Sequence, residues 1–475
     1  MNSRATNFIK NFSYALTSNL VSIFVSTLVV LIVPKLIGLN EYGYWQLYLF
    51  YSSYVGFLHF GWNDGIYLRY GGKEYKELDK KLFFSQFYML VIFQLMIAVI
   101  IFGSSAIFVI DTKKIFIFEM IAICMLIGNV RYMLLYILEA TNRFKEYSQI
   151  TIIDRILYCV LIIVLILVGI REYKMMILAD LIGKFISLLY AMYCCRDIVF
   201  LKISTFYFSL RETVENINVG IKLMFANIAS MLIIGVVRFG IERSWDVSTF
   251  GKISLTLSVC NLMMLFINAV GIIMFPILRR TEKKKLPGIY TTMRDVLMII
   301  MLGALIIYYP LRTVLSAWLP KYADSLKYMA LVFPMCVFEG KMALLINTYL
   351  KTMRKEKVML KINLLSLAVS IIITFVTTVL FKNLNLAIAS IVIILASRCV
   401  LAEMFLSNIL KIHLYKDIIL ELIMTFIFIL TGWFINSWFA VLLYAVAYIT
   451  YLAIKRKDIV NTIKNVKLLS IIEKI

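Results

Sequence analysis

Apolar stretches long enough to cross a lipid bilayer recur from one end of this chain to the other, and that recurrence limits the fold more than any other feature. A helix rises ~1.5 Å per residue, so ~20 apolar residues cover the ~30 Å hydrocarbon core. Fourteen such runs are present: residues 11–33, 43–68, 82–103, 115–138, 150–170, 175–195, 214–237, 249–278, 295–310, 326–350, 362–381, 384–410, 418–434 and 437–454. The run at 295–310 is short, with room to extend to Arg312. Backbone groups cannot stay unpaired in lipid, and the period-2 alternation of barrel strands is absent, so each run reads as a helix. The first, behind Arg4 and Lys10, is too long for a cleaved signal peptide and lacks a small-residue cleavage site, so it reads as a retained span. With 62% hydrophobic residues in 475 and only six Pro, the chain is too apolar for a soluble fold. It is an all-α polytopic membrane protein of about 14 transmembrane helices.

The formal net charge of +22 would suit a nucleic-acid binder, but its placement says otherwise. With the N-terminus inside, Lys and Arg number 31 in the inside segments against 11 outside, counting Lys327 at the outer start of the 326–350 run. "RRTEKKK" at 279–285, "KTMRKEKVMLK" at 351–361 and the tail from "KRK" at 455 all fall inside. This positive-inside bias places both termini in the cytoplasm, with the basic patches against anionic headgroups. No aromatic interleaving of the kind a nucleic-acid site needs accompanies them.

Little in the chain points to bond chemistry. The seven Cys (124, 159, 194, 195, 260, 336, 399) all fall within runs at no metal-type spacing, and read as small apolar residues. Neither His59 nor His413 has a His, Cys or carboxylate constellation around it, and no phosphate-cradling loop, nucleophile elbow or paired-carboxylate motif appears. No connection between runs exceeds about twenty residues, which leaves no room for a catalytic domain. The architecture favours moving a substrate over altering it.

An internal repeat organises the spans. "NLVS" at 19–22 returns as "NIAS" at 227–230, and "EYG" at 41–43 returns as "TFG" at 249–251, both 208 residues on. "TNRFKEY" at 141–147 resembles "TMRKEK" at 352–357 at nearly the same shift. A shift of six helices preserves orientation, so the halves are expected to be parallel repeats about an axis along the membrane normal. The expected order is an N-lobe over 1–195, a cytoplasmic linker over 196–213, a C-lobe over 214–410, two further helices over 411–454 and a basic tail over 455–475.

A lead helix ending "LVVLIVPKLIGLNEYGYWQLYLF", then "GWNDGIYLRYGG", and a helix closing in "YLKTMRKEK" resemble the Wzx-type polysaccharide repeat-unit flippases of the multidrug/oligosaccharidyl-lipid/polysaccharide exporter superfamily. The resemblance covers nearly the whole chain and is best over Gly38 to Gly43 and Gly61 to Arg69. It implies a non-enzymatic, cofactor-free flippase of the bacterial cytoplasmic membrane. Such a protein carries an undecaprenyl-pyrophosphate-linked oligosaccharide, as in O-antigen or capsule assembly, to the outer leaflet by alternating access. A polysaccharide polymerase and a chain-length regulator are the protein partners it implies. The family has no strict catalytic signature, so site residues rest on physical argument.

That argument starts from charges inside the runs. A charge near a span end can snorkel to the interface, whereas one near the midplane costs several kcal/mol unless it faces water or a partner. At least seven residues from both ends lie Arg131, Lys184, Lys222, Lys341 and Arg398, against Glu339 and Glu403. A cationic interior suits a pyrophosphate, so these five are the candidate substrate-binding residues, with Glu339 and Glu403 as candidate coupling or gating groups. Each has a plainer reading. Lys184 follows Asp180 by four residues on one helix face, which suits a structural ion pair. Lys222 can snorkel. Glu339 and Lys341 are two apart and need different partners, and Arg398 has no acidic residue three or four positions away.

Asp64 sits near the cytoplasmic end of the second run, where substrate would enter. Gly61 and Gly65 form a GxxxG pair that admits a neighbouring helix. Asp64 either pairs locally with a base such as Arg69 or titrates, so both join the coupling or gating candidates. A multidrug exporter of the same superfamily is the alternative reading, disfavoured because cationic drugs call for carboxylates. A membrane glycosyltransferase or polymerase is the enzyme alternative, disfavoured for want of loops.

Overall fold

The computed structural model describes residues 3–280 and 286–461, with side chains from Ser13 onward except at 15, 265–280 and 356. Residues 281–285 of the central basic stretch, the tail beyond 461 and the side chains of Arg4 and Lys10 lie outside the described residues. Every regular element among the described residues is helical. Among the described residues twelve helices are long and apolar enough to cross a membrane, and a shorter apolar helix runs over Phe439–Ile454.

The chain divides into two compact units, the first being residues 1–228 with 247–251. It holds α1 (Ser3–Leu36), α2 (Leu39–Ser52), α3 (Trp62–Tyr70), α4 (Lys80–Phe108), α5 (Thr112–Ala140), α6 (Phe144–Leu167), α7 (Tyr173–Cys194) and the N-terminal part of α8 (Leu210–Ser244). Polar N-caps start two of these spans. Asp79 accepts from the Lys81 and Leu82 amides at 3.0 and 3.2 Å, and Asp111 from that of Lys113 at 2.9 Å. Each supplies a partner that lipid cannot. Ile66, Met133, Leu134, Leu138 and Ile150 anchor the apolar core, while Val99 and Ile107 of α4 are exposed, as lipid-facing side chains should be.

One expected span is not continuous. The run 43–68 breaks into α2, a 3-10 turn at Val55–His59 and α3, with Phe60 and Gly61 both left-handed at φ 53° and 81°. The break frees backbone carbonyls in a dry setting, and side chains of neighbouring helices take them up. Asn129 Nδ2 donates to Val55 O and Gln94 Nε2 to Leu58 O, both at 3.0 Å. What the turn achieves is close packing of α3 on α8. A Cβ added at Gly65 would lie 1.8 Å from the Asn216 carbonyl oxygen, and one at Gly220 2.0 Å from that of Gly61. Nearby, the repeat-related Gly43 and Gly251 touch, a Cβ on Gly251 falling 2.8 Å from the Gly43 Cα.

The second unit is residues 229–246 and 252–475. It takes the rest of α8, most of α9 (Val247–Arg280), α10 (Leu286–Ala304), α11 (Tyr308–Trp318), α12 (Met335–Lys341), α13 (Asn347–Thr352), α14 (Glu356–Phe375), α15 (Leu384–Leu410), α16 (Tyr415–Phe434) and α17 (Phe439–Ile454). The short run 295–310 belongs to a 33-residue helical stretch, Leu286–Trp318. Arg294 and Asp295 lower the hydropathy there without ending the helix, because both charges are buried against partners. A π-helical segment, Met342–Ile346, joins α12 to α13 directly after Lys341. Such bulges re-aim side chains and are common at functional sites.

Candidate functional site

The second unit gathers its charges into one buried assembly. Four residues apart on α10, Tyr290 and Arg294 share a face, as do Asp417 and Glu421 on α16. These two faces meet Lys341 of α12 and Glu403 of α15. Arg294 Nε lies 2.7 Å from Glu403 Oε1, and its Nη2 2.5 Å from Glu421 Oε1. The second contact is ionic without hydrogen-bond alignment. Lys341 Nζ donates to Glu403 Oε2 and to Glu421 Oε2, and the Tyr290 hydroxyl reaches Glu403 Oε1 at 3.1 Å. Two cations and two carboxylates thus alternate around a closed ring. None of the four is more than 2% exposed, so solvent does not screen them.

Lys455, just past α17, extends the ring towards the end of the bundle. Its Nζ lies 2.8 Å from Asp417 Oδ1, 2.9 Å from Asp458 Oδ2 and 3.1 Å from Asp295 Oδ1. Strong carboxylate contacts are what allow that ammonium to sit 4% exposed.

A second bridge links the same two central helices. Arg398 of α15 places Nη1 2.8 Å from Glu339 Oε1, Nε 3.0 Å from Asn363 Oδ1 and Nη2 3.0 Å from Ser230 Oγ. Glu339 and Lys341, two residues apart on α12, therefore go to different partners on α15, Arg398 and Glu403. The Glu339 carboxylate is the open edge of this bridge at 22% side-chain exposure, against 2% for Arg398.

The first unit holds its charges in smaller sets that share no carboxylate. Arg131 of α5 bonds Asp154 of α6 at 2.9 Å and Ser187 of α7 at 3.0 Å. Lys184 pairs with Asp180 along α7, whose other oxygen accepts from the Tyr48 hydroxyl at 2.6 Å. Arg69 turns away from Asp64. Its fork takes Glu212 and Asn216 at 2.6 Å and Glu215 at 2.9 Å, all on α8. The base beside Asp64 is His59, with Nε2 3.6 Å from Asp64 Oδ2 while Nδ1 accepts from the Gly61 amide at 3.0 Å. Lys222 is exposed and has no ion pair among the described residues.

Four of the five deep cations thus have carboxylate partners, and three of those partners (Asp154, Asp180 and Glu421) lie nearer a run end in sequence. Sequence reasoning missed Arg294, which fell in the segment before the 295–310 run, and Glu421, which at three residues from the start of the 418–434 run falls outside the deep set. The Tyr290/Arg294 and Asp417/Glu421 spacings of four were the available signal. Among the described residues no group of three His, Cys, Asp or Glu is arranged to hold a metal ion.

No family model and no curated protein matches the chain. Solved structures do. Over 95% of this chain and 100% of the other, it superposes on the lipid II flippase MurJ in an inward closed conformation, with a TM-score of 0.67 at 15% identity. An inward-facing multidrug resistance MATE family transporter of the MOP superfamily matches at 0.61 and 12% identity, covering 83% of this chain and 99% of that one. A MOP superfamily transporter from Pyrococcus furiosus matches at 0.53 and 11% identity, over 85% and 96%. The fold is that of the MOP superfamily transporters.

Proposed function

We propose that this protein is a Wzx-type flippase. It moves an undecaprenyl-pyrophosphate-linked oligosaccharide repeat unit from the inner to the outer leaflet of a bacterial cytoplasmic membrane by alternating access, with both termini cytoplasmic. The observation that carries the reading is the Arg398–Glu339 bridge, a guanidinium buried in apolar helices whose carboxylate partner is 22% exposed at the side chain. A pyrophosphate reaching that edge offers the guanidinium the same fork geometry as the carboxylate it displaces. The exchange keeps the charge compensated throughout, so binding stays loose enough for release. The lipid tail remains in the bilayer while the head crosses. Lys341, Lys184, Arg131 and Lys222 are proposed as the further cations on the path, the first three each held by a carboxylate that the pyrophosphate would have to displace. Glu403, Asp64 and Arg69 are proposed to couple or gate, and the polymerase and chain-length regulator to act downstream. An anionic cargo suits these cations better than the cationic drugs of an exporter.

The test is complementation of a flippase-deficient strain with Arg398→Ala and Arg398→Lys, membrane levels being measured alongside. Loss of surface glycan at normal protein level with Ala, and partial rescue with Lys, is expected. Wild-type glycan from Arg398→Ala, alone and combined with Lys184→Ala, would remove these residues from the mechanism. Asp64→Asn is expected to lower transport while leaving membrane insertion intact, and unchanged transport would leave Asp64 only a packing role.

A further inference from the structure

Far from the ion ring, the second unit has a cavity of about 300 Å³ where α11 meets the α16–α17 connection. Arg312 stands at its wall. The guanidinium is held only by neutral oxygens: Tyr308 Oη and Gly432 O, each 3.4 Å from Nη1, and Asn436 Oδ1, 3.2 Å from Nη2. Among the described residues no carboxylate lies within ion-pair distance of it, in contrast to Arg294 and Arg398. Around it the lining offers Thr313, Ser316, Asn436 and Ser437 as hydroxyl and amide partners, and Trp438 as an aromatic face, 68% exposed.

The chemistry of that lining is specific. An arginine positioned by neutral acceptors and lacking a counter-ion is a preorganised anion site, and its fork matches a carboxylate. Hydroxyl and amide groups suit a ligand rich in hydroxyls, while an exposed indole offers a flat apolar surface to the C–H face of a pyranose. The positive-inside bias places this end of the unit outside, where cations are few.

We propose that this cavity binds an acidic saccharide at the outer face of the membrane, Arg312 pairing with a sugar carboxylate and Trp438 stacking on a ring. The proposal rests on the flippase reading only for its outward placement and for the source of the saccharide. It assigns a site to the glycan head, distinct from the deep cations assigned to the pyrophosphate.

Binding is tested on the full-length protein in nanodiscs, by calorimetry with a uronate-containing disaccharide, a neutral disaccharide of equal size and inorganic phosphate. The acidic sugar is expected to bind at least about tenfold more tightly than the neutral one, a difference of ~1.4 kcal/mol. Arg312→Gln should abolish that preference while leaving neutral-sugar binding unchanged, Arg312→Lys should retain part of it, and Trp438→Ala should weaken both sugars. Equal binding of the two sugars by the native protein, no binding of either, or displacement of the acidic sugar by phosphate or by anionic lipid in the disc would overturn the proposal. Translocation of a lipid-linked oligosaccharide in vesicles is measured separately. Intact translocation without acidic-sugar preference sinks this site alone, and preserved preference without translocation sinks the flippase reading alone.

Discussion

The two units carry intramembrane charge in different ways. In the first, Arg131–Asp154, Lys184–Asp180 and Arg69 with its α8 carboxylates are local arrangements, each tying two or three helices. In the second, Arg294, Lys341, Glu403 and Glu421 close a ring over four helices, and Lys455 carries it to the end of a fifth. Pairs that share no carboxylate can open one at a time. A ring in which every member has two opposite partners cannot lose one contact without leaving a buried charge half-compensated, so its helices are expected to move together. The difference predicts rigidity for the second unit's C-terminal helices and local freedom for the first.

The largest effect should come from the ring. Lys341→Met leaves Glu403 and Glu421 sharing Arg294 in a dry interior, and removing one partner of a buried pair typically costs about 3–5 kcal/mol. A strong fall in melting temperature in detergent is expected, recovered in part by Lys341→Met with Glu421→Gln. Additive losses from those two substitutions would break the ring description. Arg131→Met should cost less, because Ser187 and Asp154 can relax separately, and Arg131→Met with Asp154→Leu should approach native stability. If the single Arg131 variant melts lower than the Lys341 variant, the comparison between the units is reversed.

Close packing, not charge, sets the next effect. Gly65→Ala puts a methyl group into the Asn216 carbonyl, and overpacking of this kind costs about 1–3 kcal/mol. Gly128→Ala has open space around its new Cβ and serves as the control, expected to melt at or above the native temperature. The smallest effect belongs to Arg69→Lys. Its guanidinium is 25% exposed at the side chain, solvent screens it, and the loss of the fork is expected to lower stability by less than about 1 kcal/mol. Failure of the Arg69→Lys variant to reach the membrane would show that the α3–α8 contact depends on this fork more than on the glycines.

How much of this was legible without the structure varies by residue. Glu339 and Lys341 had to find separate partners because positions two apart on a helix diverge, and Lys184 invited a pair with Asp180 four residues earlier. Arg398 looked unpaired because its carboxylate is 59 positions away in sequence, where no periodicity reaches. Arg294 looked cytoplasmic because the run begins at Asp295, one residue later, and the carboxylates that let Arg294 be buried lie on other helices. The second run looked continuous because Phe60 carries no turn signal, and its left-handed backbone is held by contacts from α4, α5 and α8.

By itself the sequence determined the solvent, the helical class, the number of apolar runs and the bias of charge towards one side, since these follow from local hydropathy and from the cost of unpaired backbone in lipid. Only the tertiary structure decided which charges neutralise one another, where a span breaks, and that Arg312 lines a cavity with neutral partners alone among the described residues. Those outcomes depend on distances between helices far apart in the chain, and an ion pair's worth is set by the partner and the burial it finds there.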